Sequence, residues 1–128
     1  MGAPRLERAR ELRDELAGYL ERDNAAEVTV TLDIRDVPSA SRNGVILITP
    51  PALSFQTFTQ TEYEWELHVF AGPPGDLEAA WETLDNILEV LRAAGLEMAD
   101  AKPSTFDPLN NAPAIPGYTF TFTELFID

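Results

Sequence analysis

Residues 62–70, EYEWELHVF, decide the fold. On an extended chain, Tyr63, Trp65, Leu67 and Val69 point one way, while Glu62, Glu64, Glu66 and His68 point the other. A period of two with bulky apolar residues on one side predicts a half-buried strand, one face on a core and one in water. Such a strand needs neighbours in a sheet and a cover for its apolar face. The flanking sequence supplies both.

On the N-terminal side, residues 52–61 (ALSFQTFTQT) predict a further strand or a long hairpin arm. Pro50-Pro51 separates it from Gly44–Thr49 (GVILIT), a strand apolar on both sides and therefore expected in a central, doubly covered position. Residues 27–34 (EVTVTLDI) predict another strand, with Val28, Val30, Leu32 and Ile34 inward. Residues 35–43 read as a polar loop closed by Asn43-Gly44. A first helix is expected over 5–21, where Leu6, Ala9, Leu12, Leu16, Tyr19 and Leu20 recur at spacings of three and four.

On the C-terminal side, Gly72-Pro73-Pro74-Gly75 is a loop and Asp76 is placed to cap a second helix over 76–94. Its apolar stripe is Leu77, Trp81, Leu84, Leu88 and Leu91, widened by Ala80, Ile87 and Ala94. Residues 96–101 predict a short edge strand, and 103–117, with four prolines, a long loop. Tyr118–Ile127 alternates aromatics with threonine as a closing strand. The alternation slips at Glu124-Leu125-Phe126, which predicts a bulge or an exposed apolar end. The expected class is α+β: a small, mainly antiparallel sheet of four to five strands with two helices on one face.

At 128 residues the chain has the size of one domain, residues 1–128, large enough to fold without disulfide or metal staples. Its net charge is −13, from 22 acids and 9 bases. Residues 1–42 hold nine acids and seven bases; residues 43–128 hold thirteen acids and two bases, Arg92 and Lys102. That balance argues against general affinity for nucleic acid, which needs a basic face, and against docking on anionic membranes. No apolar run approaches 18 residues and the N-terminus, MGAPRLERARELR, has no apolar signal core, so the cytoplasm is the expected compartment.

Cysteine is absent, which excludes thiol catalysis and thiolate metal sites. The single histidine, His68, lies mid-strand between acids and reads as a polar surface residue. No phosphate-cradling glycine loop is present. Glu62, Glu64 and Glu66 lie ~6.6–7 Å apart along one strand face. Parallel carboxylates on a flat strand do not converge as calcium ligands must, so they read first as a solvated strand face and second as a negative functional surface, and no metal or cofactor is expected.

The order of elements resembles the tail terminator (tail completion) proteins of long-tailed, non-contractile bacteriophages. The resemblance rests on the N-terminal helix, the strand Tyr63–Phe70, and the Gly-Pro gap before the helix Asp76–Ala94 with Trp81-Glu82-Thr83-Leu84-Asp85. It continues in Ala101-Lys102-Pro103-Ser104, the proline loop and the strand Pro116–Phe122. It implies a non-enzymatic homo-hexameric ring in the neck of a virion, made in a bacterial host's cytoplasm. Such a ring caps the head-proximal end of the tail tube, stops its polymerisation and meets the head–tail connector protein. DNA passes through the bore without being held.

Within that resemblance, Glu62, Glu64 and Glu66 are candidates for an acidic bore lining that repels DNA in transit. Phe55 and Phe58, on opposite faces of the 52–61 arm, and Leu125 and Phe126 at the closing strand's end are candidate contacts to the ring or tube. Arg5, Arg8, Arg10 and Arg13 are candidate partners for an acidic neighbouring subunit. A connector, stopper or tail-tube subunit of the same particle is the nearest alternative. A small acidic adaptor or inhibitor that mimics DNA charge is a second, and a small-molecule or metal-dependent enzyme a third.

Overall fold

The strand quoted first is β4, Gln60–Phe70, with Tyr63, Trp65, Leu67 and Val69 all buried. A computed structural model describes residues 3–73, 75–96, 100–108 and 112–127. Around β4 stand helix α1 (Pro4–Arg22), strand β1 (Thr29–Thr31), the single-turn helix α2 (Val37–Ala40), β2 (Val45–Ile48) and β3 (Ala52–Phe55). Helix α3 (Leu77–Ala93), β5 (Ala101–Phe106) and β6 (Ile115–Ile127) complete the order. The sheet runs β1-β2-β4-β6-β5, with β3 also paired to β4. Among the described residues, no helix is long and apolar enough to cross a membrane.

The class is α+β, with one more strand and one more helix than the pattern predicted. All pairings are antiparallel except β1 with β2, which run parallel. Parallel neighbours need a crossover, and residues 34–43 provide it as α2 flanked by 3-10 turns. That segment was expected to be a polar loop without apolar anchors. Val37 is its anchor: it is fully buried and turns the segment back onto the sheet. The strand expected over 27–34 shortens to three residues because the chain turns away at Asp33. There Thr31 Oγ1 bonds to Asp36 Oδ2 at 2.6 Å, the Asp33 side chain caps the 3-10 turn, and Ile34 is left exposed.

Helices α1 and α3 pack side by side on one face of the sheet. Leu12, Leu16 and Leu20 of α1 and Leu84, Ile87 and Leu91 of α3 close over Trp65, Leu67, Phe120 and Ile46. Asp76 caps α3 as expected, accepting from the Ala79 N–H at 3.1 Å. Its buried stripe is the Ala80 and Ile87 side of the expected one, and the edge at Leu77 and Trp81 is turned out. Ala80, Leu84, Ile87 and Leu91 face inward, while Leu77 and Trp81 are exposed. Burying the small Ala80 allows close approach and turns the first-turn apolar residues outward.

Among the described residues, the opposite face is covered at one end only. Val45, Leu47, Phe70 and Ile115 form a second small core there with Val37 of α2, and Phe106 of β5 packs against it. This double cover explains why β2 is buried at every position, as its two-sided apolar sequence predicted. Gly117 lets the strands meet at this end, since a Cβ there would strike the Val69 carbonyl oxygen and the Phe70 ring.

Pro50-Pro51 marks a change of register rather than a change of partner. Ile48 lies opposite Leu67, but Ala52 lies opposite Glu64, so three residues (49–51) span the gap that two bridge on β4. Proline cannot supply the missing ladder donors, and the Thr49 hydroxyl reaches the Glu66 carbonyl at 3.2 Å instead. β3 therefore continues the line of β2 along the same edge of β4.

The expected edge strand over 96–101 falls partly on residues 97–99, which lie outside the described residues. The observed edge strand is β5, which takes in residues 101–106, and β6 begins at Ile115, so the expected 103–117 loop contracts.

No bulge interrupts β6: Gln60 to Phe70 pair in unbroken register with Ile127 to Gly117. Glu124 takes an inward position because the core needs it there. The Trp65 indole N–H donates to Glu124 Oε1 at 2.8 Å, and Arg8 grips the same carboxylate through Nε at 3.1 Å and Nη2 at 2.7 Å. The Glu124 bond, above all, holds the Arg8 guanidinium firmly in its charged form. Glu124→Ala is therefore expected to cost about 2–3 kcal/mol, because it strands a buried indole N–H and a half-buried cation. Glu124→Gln, whose amide oxygen still accepts from Trp65, should cost less. Urea unfolding of the two variants measures the difference.

Candidate functional site

Beyond the helices, β3, the start of β4 and the end of β6 form a three-stranded tongue. Paired residues share a face, so its two faces can be read from the register. On the side facing away from the helices, Glu62 lies between Ser54 and Leu125, Glu64 between Ala52 and Thr123, and Glu66 beside Thr121. The three glutamates thus share one face, with Glu64 and Glu66 exposed and Glu62 half-buried. They are not alone: Leu125 and Ile127, both exposed, stand at the tongue end of the same face. Among the described residues no group of three or more acids or histidines is gathered as a metal site.

On the helix side of the tongue, Phe55, Thr61 and Phe126 form one row across three strands. Phe126 is half-buried, its ring 4.6 Å from that of Tyr63, so it packs against the edge of the core. Phe55 is 69 % exposed and Phe58, at the hairpin tip, is fully exposed. The sequence had suggested that one of this pair faces outward; both do. The tip closes with the Gln56 N–H donating to the Gln60 carbonyl at 3.0 Å. Every residue of β3 is exposed, and its outer edge has no strand partner among the described residues. An open edge beside exposed aromatics is a surface suited to another protein chain.

Of the four arginines expected to reach a neighbouring subunit, two are used within the chain. Arg8 serves Glu124 and also meets Glu15 at 3.0 Å, and the Arg5 guanidinium lies 5.6 Å from the centre of the Tyr63 ring. Arg10 is exposed and Arg13 meets its neighbour Asp14 at 3.4 Å.

A polar chain that the sequence did not reveal crosses three strands on the acidic face. Glu66 Oε1 lies 3.0 Å from His68 Nε2, and His68 Nδ1 lies 2.9 Å from Thr119 Oγ1. The Thr119 hydroxyl in turn donates to Ser104 Oγ at 3.0 Å. Carboxylate, imidazole and hydroxyl in line resemble the parts that activate a nucleophile. Here Thr119 sits in mid-strand, where backbone amides are committed to the ladder rather than aimed at a developing oxyanion. The chain instead pins β4, β6 and β5 together. Its only sequence signal was a histidine on a threonine-rich sheet, and Thr119, its partner on another strand, lies 51 residues away.

No protein-family model matches this chain, and no curated protein matches it significantly.

Burial pushes the His68 pKa below its ordinary value, and the Glu66 carboxylate pulls it partly back. The unfolded chain therefore takes up this proton first as pH falls. The stability His68 contributes is complete above about pH 6.5 and is lost as pH drops through the lower folded value. His68→Gln should remove that component, so unfolding midpoints of the two proteins should converge between pH 7.5 and 5.5. Thermal unfolding at both pH values checks it.

Proposed function

We propose that this chain is a structural, ring-forming protein of the tail-terminator kind, acting through protein contacts. The observation that carries the proposal is the tongue. A well-packed domain projects an uncharged hairpin bearing Phe55 and Phe58, with an open strand edge, from an otherwise strongly acidic chain. Large exposed aromatics on a projecting element are the usual anchors of an interface. Head-to-tail use of such an element closes into a ring when the rotation per subunit fits.

The division of the sheet supports the same reading. One face is spent on the helices, and the bare part of the other carries Glu62, Glu64 and Glu66. Turned toward a bore, these carboxylates repel the phosphates of passing DNA and prevent its adhesion. Partners in this reading are further copies of the chain, the tail-tube protein and the head–tail connector protein. Exposed Leu77 and Trp81, one turn apart on α3 among Glu78, Glu82 and Asp85, offer a second anchor for one of the latter two.

The protein is expected to run as a hexamer by light scattering, or to become one when concentrated or mixed with tail tubes. Electron microscopy should place a single ring at the tail neck. Repeated rings along the tail would instead indicate a tube subunit, and a lasting monomer absent from the neck would reject the proposal. Replacing Glu62, Glu64 and Glu66 together by Gln should leave the fold intact but let the ring retain duplex DNA at low salt. Filter binding across a salt series measures that gain.

A further inference from the structure

A groove of about 440 Å³, lined chiefly by apolar atoms, opens between the first turns of α1 and the Pro50-Pro51 segment. Leu6, Ala9, Leu32, Ile48 and Pro51 form its walls, and Arg5 stands at its side. The Arg5 Nε is buried and has no hydrogen-bond acceptor among the described residues. An apolar recess beside a buried, unused donor fits an apolar group flanked by an oxygen acceptor.

The chain itself carries such a group. Phe58 is fully exposed at the hairpin tip, between the hydroxyls of Thr57 and Thr59 and next to the amides of Gln56 and Gln60. It cannot enter its own groove, because β3 runs straight out from Pro51 and sets the tip about 20 Å away. We propose that Phe58 of one copy seats in the α1–Pro50-Pro51 groove of the next. The tip's hydroxyls, amides or carbonyls then accept from Arg5.

Charge explains why the occupant is a second copy. Two chains of net charge −13 repel, so their contact must be made where carboxylates are missing. Residues 43–61 contain no charged side chain, the longest such stretch in the sequence. It includes both the hairpin tip and one wall of the groove. Tip and groove are different surfaces, so the contact run head-to-tail closes a ring, whereas two copies that exchange tips reciprocally would stop at a two-fold dimer. The proposal rests on the ring-forming reading above and gives it a specific joint.

The absence of native cysteine makes the test direct. Thr59→Cys and Leu6→Cys are made singly and together in the full chain and oxidised gently. The two positions are too far apart within one copy for a disulfide, which needs Cα atoms within about 7 Å. Mixed single variants should give chiefly the mixed dimer, and the double variant a ladder ending in a closed ring. Adding Phe58→Ser should cut cross-linking and association at least about tenfold without changing the unfolding midpoint at concentrations where both proteins are monomeric. Only like-with-like dimers, or only monomers, would overturn the joint. A hexamer by light scattering without the mixed cross-link keeps the ring and rejects this contact. A ladder from a protein that never caps tail tubes keeps the contact and rejects the tail-terminator role.

Discussion

Burying the Trp65 indole imposes one demand on the whole domain: its N–H must find an acceptor inside the core. Glu124 provides it, and Arg8 then has to neutralise a carboxylate drawn away from water. Through these three side chains β4 is tied to β6 and both are tied to α1. The eleven-residue register of β4 with β6 follows, because a slip of one position would turn Glu124 outward and Leu125 onto the indole. With that register fixed, the acidic residues of β4 and the threonines of β6 share the opposite face.

Cover is the second constraint. Two long helices suffice for one face of this sheet, while among the described residues the other is covered at one end, by α2 with Phe106 and Ile115. The bare remainder is where the glutamates stand and where the tongue projects. Pro50-Pro51 separates the two regimes. Before it, β2 is buried on both faces; after it, β3 is exposed at every residue. Surface available to other chains is thus concentrated beyond the prolines, where the sequence is also free of charge.

Much of this was legible in the residues. β4 was readable because its alternation is strict, and α3 because Asp76 caps it and leucines recur along it. The two-sided apolar β2 announced its central position. Less legible were features depending on residues distant in sequence. Trp81 fits a helical stripe as well as Ala80 does, and only the closeness of the packed sheet selects the smaller residue. The crossover that makes β1 and β2 parallel hung on a single buried valine in a polar segment. For the candidate site, Glu62, Glu64 and Glu66 were readable as one face, and Phe55 and Phe58 as a surplus of aromatics. The groove beside Arg5 and the Glu66–His68–Thr119–Ser104 chain were not, since each assembles three or more separate segments.

The sequence by itself determined the class, the β4 face pattern, the second long helix and the acidic character of the surface, because periodicity, capping and charge act within a few residues. Tertiary structure alone decided why Glu124 points inward, which arginines are engaged within the chain, and which face of the sheet the helices cover. Those outcomes turn on satisfying buried polar groups and filling space between segments far apart in the chain. Local pattern carries no information about either until the segments meet.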